Sequence, residues 1–373
     1  MNIAVLYGGK SSEHEVSLRS ATAVVQNINT DKHNVYLIGI AKDGRWFLQS
    51  SNELDRIKAD KKAVLTIQQN TNMVVSVIPG GGTEGGLITV GSSFGAKNLP
   101  IDVVFPVLHG TFGEDGTIQG LFEVADIPYV GGGVMASAVS MDKEKTKQIW
   151  LHAGLPVVPF VCVRRYEYEN EEAFQAIIKN VERDFTYPVF VKPCCAGSSV
   201  GAAKAENRDE LIKNAKDAFL WDDKILIEPF ISAREIECSV TGNTELTAYT
   251  PGEIVSSHGF YDYDAKYNDP NGAQLLIPAD LDDALLRTVR ELAKKAYCAL
   301  DLSGLSRVDF FLDKKTDKLY LNEVNTIPGF TSISMFAKMC EASGLHYPDL
   351  IEKLLALAIE RSKSRASLRT SRT

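Results

Sequence analysis

Two carboxylates and a carboxamide are spaced so that they share one face of a predicted β-hairpin late in the chain. Residues 307–325 have the pattern of two strands joined by a turn. A turn centred on Thr316 predicts that Asp309 lies opposite Glu323, and Asn325 shares that face because side chains alternate along a strand. Two neighbouring carboxylates repel unless a proton or a cation lies between them, and such oxygen ligands suit Mg²⁺. We therefore predict a metal site; the alternative is a solvated polar face.

A glycine loop and two lysines form a second candidate, for phosphate binding. Lys192 ends a predicted strand and precedes the loop 197–201, Gly-Ser-Ser-Val-Gly, while Lys143 begins an earlier helix. Glycines and small hydroxyls let backbone N–H groups approach phosphate oxygens, although Gly-Ser turns are common and the loop alone is a weak signal. The spacing is not that of a P-loop, and no dinucleotide fingerprint follows the first strand, which disfavours hydride transfer.

The first third of the chain predicts a doubly wound α/β domain. Residues 2–7 form an apolar run that ends at two glycines, and Ser12 with Glu15 has the pattern of a capping box that begins a helix. A second strand at 35–40 gives the order strand–turn–helix–strand, which favours a parallel sheet. Later elements are predicted as an insertion at 50–100 with a hairpin around 80–86, a strand at 101–108 and a helix at about 135–152.

The rest of the chain first alternates short predicted strands and helices, and its last part is predicted to form a mainly antiparallel sheet. The predicted fold class is therefore α/β followed by α+β. Strands are predicted at 187–192 and 224–229, and helices at 208–220, about 280–299 and 347–361. The predicted units are an N-terminal doubly wound domain (1–140), a central lobe (141–228), a C-terminal lobe with the hairpin (229–361) and a disordered Ser/Arg-rich tail (362–373).

The charge and composition of the chain argue against several classes of binding partner. The formal net charge of -8 argues against a nucleic acid or an anionic membrane as partner, since both require a basic surface. No apolar run approaches the roughly 18 residues of a membrane span, and the start has no pattern of a secretion signal. The six cysteines lack zinc-ligand spacing, which predicts reduced thiols in a cytoplasm.

Six motifs follow one another along residues 2–360. They are Gly-Gly-Lys-Ser-Ser-Glu-His-Glu-Val-Ser at 8–17, His-Gly with Gly-Glu-Asp-Gly at 109–116, Met-Asp-Lys at 141–143, the loop 197–201, Phe-Tyr-Asp-Tyr-Asp-Ala-Lys-Tyr at 260–267 and Asn-Glu-Val-Asn-Thr-Ile-Pro-Gly-Phe-Thr-Ser at 322–332. In this order they resemble the D-alanine–D-alanine ligase family. The 260–267 and 322–332 motifs are highly specific, whereas the glycine loop is not.

The resemblance implies an ATP-grasp fold, with ATP between two α+β lobes behind the doubly wound domain. It implies a cytoplasmic homodimer that joins two D-alanines through a D-alanyl phosphate, giving D-alanyl-D-alanine for peptidoglycan. ATP would contact Lys143, Lys192, Glu228, Ile231 and Glu235. Two Mg²⁺ or Mn²⁺ ions would bind Asp309, Glu323 and Asn325.

The same resemblance implies how the amino acids are held. The ammonium of the first D-alanine would bind Glu13, supported by Ser198 and Tyr267. The second substrate's carboxylate would meet Lys266 and Ser334, with His109 also in the substrate site. Arg307 and the Gly329 N–H would form an oxyanion site, and residues 261–270 would close as a lid.

Each assignment has a structural alternative. Glu13 could serve only the helix dipole, with Glu15 in the capping role. His109 could be a satisfied core histidine, Tyr267 could be loop packing, and Arg307 could pair with a nearby acid. The sequence also departs from the family pattern at two sites, Ala196 and Ala337, of which the second lies close to Ser334 and the second substrate's subsite.

Other functions stay open at this point. A ligase of the same fold could use D-serine or D-lactate as its second substrate, although the Lys266-Tyr267 loop favours D-alanine. A non-catalytic nucleotide-binding regulator is expected to lack a metal ligand or Arg307, and all are present. An interaction protein with a vestigial fold has only the tail to suggest it.

Overall fold

The N-terminal region of the chain forms the first sheet and the helices that accompany it. The computed structural model describes residues 1–91, 95–256, 273–331, 333–369 and 371. The strands of this sheet are β1 (Asn2–Gly8), β2 (Asn34–Ile40), β3 (Trp46–Leu48), β4 (Val74–Val77), β5 (Leu87–Gly91), β6 (Gly95–Leu99) and β7 (Val103–Val107). The helices of this region are α1 (His14–Asn27), α2 (Ser51–Ala59), α3 (Gly82–Gly85), α4 (Thr117–Ala125) and α5 (Val134–Met141).

This sheet is mixed rather than parallel throughout. Its order is β6-β5-β4-β3-β2-β1-β7, and β1 runs parallel to both β2 and β7. The insertion adds antiparallel strands at one side, including the predicted hairpin of β4 and β5 with the short α3 between them. Short connections can join only antiparallel neighbours, because a parallel pair needs a long crossover.

The capping-box prediction at the first helix is wrong. Helix α1 begins at His14, and its N-cap residue Glu13 makes no side-chain capping bond. Ser11 instead donates from Oγ to the His109 carbonyl (2.8 Å), which draws the turn towards the loop after β7. Glu15 lies on the surface and pairs with Lys42 at 2.8 Å.

The second sheet belongs to the central lobe and has the order β10-β9-β11-β8. Its elements are α6 (Lys143–His152), β8 (Val161–Arg164), α7 (Arg165–Tyr168), α8 (Glu171–Asp184), β9 (Val189–Pro193), β10 (Ala203–Ala205), α9 (Arg208–Ala218) and β11 (Lys224–Pro229). The single helix predicted at 135–152 is divided into α5 and α6. Asp142 separates them with an extended backbone (ψ 102), and its side chain caps α6 by accepting from the Lys145 N–H.

The third sheet is antiparallel and has the order β15-β14-β12-β16-β17, with β13 paired to β12. Its strands are β12 (Ala233–Gly242), β13 (Thr247–Ala248), β14 (Gly252–Ser256), β15 (Ala273–Leu276), β16 (Gly304–Asp313) and β17 (Leu319–Asn325). The helices are α10 (Asp283–Ala299), α11 (Met335–Ala342) and α12 (Tyr347–Ala366). One face of β12 and β16 buries apolar side chains in a core with α10, and the other face carries polar ones.

Two helices contribute side chains to the core of a neighbouring unit. Trp150 of α6 lies in the C-terminal core, where its Nε1 donates to the Ala296 carbonyl at 3.0 Å. The apolar face of α12, which includes Leu350 and Leu354, completes the core beneath the first sheet. Helix α12 continues to Ala366, so residues 362–366 are helical rather than part of a disordered tail. In the part of the chain that the structure describes, no helix combines the length and apolar character that a membrane crossing requires.

Candidate active site

The predicted site residues meet in one cavity of about 1140 Å³ between the three sheets. Its lining includes the predicted residues Glu13, His109, Lys143, Lys192, Ser198, Glu228, Ile231, Glu235, Arg307, Asp309, Glu323, Asn325, Gly329 and Ser334. Lys266 and Tyr267, together with the predicted lid at 261–270, lie outside the described residues.

The hairpin brings the metal-binding candidates together as predicted. Asp309 on β16 lies opposite Glu323 on β17, and the next pair on that face joins Arg307 with Asn325. Beyond Asp309 the register shifts, so that Phe310 faces Leu321. Continued without a shift, the register near the turn would place Asp309 opposite Asn322. The extra residue of a β-bulge at Asn322 places Asp309 opposite Glu323 instead.

Arg307 is held between two carboxylates on neighbouring strands. Its guanidinium donates to both oxygens of Asp309 at 2.7 Å and lies 3.0 Å from Glu237 Oε2. Burial opposes its charge, but Asp309 and Glu237 outweigh this effect and hold the pKa of Arg307 well above its usual value. Sequence reasoning missed Glu237, although its place two residues after Glu235 on one face of β12 could have indicated it.

The donor set fits a divalent cation. Asn325 Nδ2 donates to Asp309 at 2.9 Å, and rotation of the amide would present its oxygen instead. Lys143 Nζ lies 3.4 Å from Glu323. Positive groups thus balance the two carboxylates, as a bound cation would. Among the described residues no group of three or more His, Cys, Asp or Glu is placed to hold a metal, but Mg²⁺ completes its shell with amide, phosphate and water oxygens.

The predicted phosphate-binding lysines converge from two elements. Lys143, in the first turn of α6, donates to the Ala196 carbonyl at 2.8 Å, beside the glycine loop. Lys192 on β9 donates to Asn322 at 3.2 Å and lies 2.9 Å from Glu228 Oε2. The other oxygen of Glu228 faces Lys147 at 3.0 Å. The predicted contact of Glu228 with adenine stays a prediction, since each carboxylate oxygen can accept a second bond.

The carboxylate of Glu13 joins the N-terminal domain to the glycine loop. Ser198 donates from Oγ to Glu13 Oε1 at 2.5 Å. A Cβ on Gly110, whose φ is +70°, would lie 2.6 Å from Glu13 Oε2, and one on Gly197 would lie 3.2 Å away. These glycines leave room for a carboxylate between two loops, where it can receive an ammonium group.

The ring of His109 has protein partners on both nitrogens, as the structural alternative predicts. Nδ1 lies 2.9 Å from the Ile327 carbonyl, and Nε2 lies 3.0 Å from Ser20 Oγ. Burial lowers the pKa of His109, which keeps the imidazole neutral. His109 therefore positions the segment that leads to Gly329. A substrate contact through either ring nitrogen would first have to break one of these bonds.

Glu114 is a further acid that sequence reasoning missed, although it lies in the quoted 109–116 motif. Its carboxylate accepts from the Gly110 N–H (3.0 Å) and from the Ile327 N–H (2.8 Å). Burial, and then the negative charge of Glu13, raise the pKa of Glu114 to about 7. The site thus has a second carboxyl group close to Glu13.

The segment after β17 forms the remaining wall. Ser334 accepts from the Thr331 N–H at 3.0 Å, and a Cβ on Gly329 would lie 3.0 Å from the Ser334 hydroxyl. Ala337, one of the two departures from the family pattern, is buried in the core behind this wall. Gly329 and Ser334 are therefore held close together by a compact loop.

Family models match almost the whole chain. The model described as D-ala D-ala ligase N-terminus covers residues 2–132, and the one described as D-ala D-ala ligase C-terminus covers residues 149–356. The D-alanine–D-alanine ligase of Treponema denticola is 59% identical to this chain over 372 residues, which is 100% of each protein.

Solved structures share the fold. The D-alanine–D-alanine ligase of Coxiella burnetii aligns with a TM-score of 0.81 at 33% identity and covers 98% of this chain and 96% of its own. The VanG D-Ala:D-Ser ligase of Enterococcus faecalis aligns with a TM-score of 0.79 at 36% identity, covering 96% and 99%. They confirm the predicted fold, an N-terminal doubly wound domain followed by a two-lobed ATP-grasp fold. By its sequence, its fold and the residues that line its cavity, the chain belongs to the D-alanine–D-alanine ligase family.

Proposed function

We propose that this protein uses ATP to join two D-alanines through a D-alanyl phosphate, yielding D-alanyl-D-alanine for peptidoglycan. One observation carries the proposal. A single cavity gathers a carboxylate for an ammonium, lysines for phosphates and the Asp309, Glu323 and Asn325 oxygens, in a chain that is 59% identical to a D-alanine–D-alanine ligase over its whole length.

The nucleotide is placed by Lys143 and Lys192, whose positive charges offset those of the phosphates. Asp309, Glu323 and Asn325 would hold Mg²⁺ or Mn²⁺ ions, which neutralise charge on the transferred phosphoryl group when bound. Ile231 and Glu235 line the cavity next to Glu228 and are proposed to meet the adenosine.

The first D-alanine binds with its ammonium at Glu13, which the Ser198 hydroxyl orients. Its carboxylate takes the γ-phosphoryl group of ATP, and ADP is the leaving group. The free amine of the second D-alanine then attacks the acyl carbon. Arg307 and the Gly329 N–H are proposed to stabilise the resulting tetrahedral oxyanion, which forms the peptide bond by expelling inorganic phosphate as the attacking nitrogen loses a proton. Such donors act strongly because they are preorganised in a site that excludes water.

The roles of Lys266, Tyr267 and the 261–270 lid remain proposals that rest on the resemblance. We propose that this segment closes over the acyl phosphate and limits its hydrolysis. Deletion of the loop should then raise ATP hydrolysis relative to peptide formation. An unchanged ratio would remove the lid from the mechanism.

A D-alanine–D-serine ligase is the second candidate, because the VanG D-Ala:D-Ser ligase is 36% identical to this chain. Phosphate release should be measured with D-alanine, D-serine, D-lactate and no acceptor, with identification of the product. Release that depends on D-alanine alone, with D-alanyl-D-alanine formed, supports the first proposal. Preferential formation of D-alanyl-D-serine would replace it.

We also propose that the protein is a cytoplasmic homodimer with units at 1–140, 141–228 and 229–361. The dimer and the compartment rest on the resemblance. The free thiol state of all six cysteines fits a reducing compartment. Sedimentation velocity at several concentrations tests the dimer, and a species with the mass of one chain throughout would exclude it.

A further inference from the structure

A completely buried lysine lies behind the proposed phosphate site. Lys147 follows Lys143 by one turn of α6, and its side chain has no exposed surface. Its Nζ lies 3.0 Å from Oε1 of Glu228, a residue that lines the cavity. A lysine in such a place needs an explanation because burial of an ammonium group is costly unless it is paired.

Glu228 is shared between Lys147 and a second lysine. Lys192 lies 2.9 Å from Glu228 Oε2 and occupies the diagonal position on the neighbouring strand, since Leu226 of β11 pairs with Lys192 of β9. Lys192 lines the cavity, whereas Lys147 does not touch it. The order from the interior to the cavity is therefore cation, anion, cation.

The charge balance of this cluster depends on the buried lysine. Lys192 and Glu228 alone would form a neutral pair and would present little net charge to a phosphate. With Lys147 protonated, the cluster carries one net positive charge next to the cavity. Burial lowers the pKa of Lys147 to about 8, and Glu228 offsets part of that effect, so the ammonium form still predominates at neutral pH.

We propose that Lys147 is a positioning residue for nucleotide binding: it holds one oxygen of Glu228, and Lys192 thereby keeps an uncompensated positive charge for the phosphates. This inference rests on the proposed use of ATP. It assigns to Lys147 an effect that acts through Glu228 and Lys192 rather than a contact with the substrate.

The test is Lys147→Met, which keeps the length of the side chain and removes its charge. ADP affinity is measured by calorimetry on the full-length protein, and the KM values for ATP and D-alanine are measured separately. We expect ADP to bind about tenfold more weakly and the KM for ATP to rise, because one charge near the phosphates is lost. The KM for D-alanine should change little. Lys145→Met on the exposed side of α6 is the matched control and should leave both values unchanged.

A ligand without phosphates separates electrostatics from packing. Adenosine carries no phosphate charge, so we expect its affinity in Lys147→Met to stay within about threefold of the native value while ADP binding is weakened. Equal losses of adenosine and ADP affinity, or normal ADP affinity in a folded Lys147→Met protein, overturn the inference.

Loss of folding is covered by a second comparison. Removal of one partner of a buried ion pair is strongly destabilising, so thermal unfolding is measured for each variant. If Lys147→Met does not fold, Lys147→Gln takes its place, since its neutral amide can still donate a hydrogen bond to Glu228. ADP affinity that falls about tenfold while adenosine affinity is kept supports the inference, and unchanged ADP affinity overturns it. Native protein that bound no nucleotide would refute the proposed function itself.

Discussion

The two lobes around the cavity each contain a buried cluster of three charges, and the two clusters have opposite order. In the central lobe Glu228 lies between Lys147 and Lys192, so the cluster is positive overall. In the C-terminal lobe Arg307 lies between Glu237 and Asp309, so that cluster is negative overall. Each is left with one net charge opposite to that of its proposed ligand, phosphates in the first case and divalent cations in the second.

The comparison teaches how one site can hold a polyanion and metal ions together. A neutral buried pair is satisfied by itself and has little attraction for a ligand. A cluster of three keeps its members paired, which limits the cost of burial, and still leaves one charge that a ligand can neutralise. The predictions below test each cluster in turn.

The largest effect is expected at the centre of the C-terminal cluster. Arg307→Ala should lower kcat by about 10²–10³ or more, because it removes the proposed oxyanion donor and leaves Glu237 and Asp309 without their shared cation. Steady-state phosphate release with saturating D-alanine measures the loss. Arg183→Ala, at an exposed pair with Asp184, is the control and should be near-normal. Near-normal turnover by Arg307→Ala would refute its assignment.

The next effect tests the metal side of the same cluster. Asp309→Asn should weaken Mn²⁺ binding by about 10- to 100-fold, because it removes a proposed carboxylate ligand. The measurement is a Mn²⁺ titration of the nucleotide-bound protein, followed by paramagnetic resonance of the free ion. Chelation of divalent ions should abolish activity of the native enzyme. Unchanged Mn²⁺ affinity in Asp309→Asn would place the metal elsewhere.

A smaller loss is expected at the outer carboxylate of the C-terminal cluster. Glu237→Gln keeps the shape of the side chain but weakens the hold on Arg307, so kcat should fall about tenfold with little change in ADP affinity. Lys147→Met should instead weaken ADP binding and change kcat little. If both variants altered the same parameter, the division of labour between the two clusters would be wrong.

The smallest effect concerns the pH dependence of stability, in which two carboxylates should behave oppositely. Burial would raise the pKa of Glu228, but Lys147 and Lys192 outweigh it and lower the pKa, so its stabilisation is lost as the pH falls. Glu114 has its pKa raised from 4.5 to about 7. The folded state therefore retains a proton there that the unfolded chain has lost, and its contribution to stability decreases as the pH rises through 7.

Glu114→Gln measures this contribution. The difference in the free energy of unfolding between the native protein and the variant should change by an amount on the order of 1 kcal/mol between pH 5 and pH 8, allowing for the water-accessible cavity that Glu114 lines. Urea unfolding at several pH values gives the curve, with the exposed Glu172→Gln as a control. A difference that does not vary with pH would show that Glu114 titrates normally.

Much of the fold could be predicted from local pattern. The strand at 224–229 has the predicted bounds, both strands of the predicted hairpin at 307–325 are present, and so are the helices near 280–299 and from 347. The break at Asp142 was missed because the apolar positions on both sides continue one helical pattern. The mixed character of the first sheet was missed because the irregular insertion has no clear alternation, and its strands gain order from their neighbours.

The family and the proposed reaction could also be predicted, since they depend on motifs that stand in the chain itself. Among the site residues, Asp309 and Glu323 were paired correctly, although the bulge at Asn322 was not foreseen. Glu237, Lys147 and Glu114 were missed, because each has significance only through partners that are distant in sequence. The local sequence does not distinguish their carboxyl or amino groups from those of surface residues, because their partners lie on other strands and helices.

The sequence by itself determined which faces of β16 and β17 are polar, which residue types could meet phosphate and metal, and the family to which the chain belongs. These follow from side-chain chemistry and from periodicity, which are local properties. Only the tertiary structure decided which charges share a partner, why Glu228 faces two lysines while Arg307 faces two acids, and that α12 closes the core of the first domain. The reason is that burial makes an unpaired charge costly, and the partner that relieves this cost is selected by packing between elements far apart in the chain.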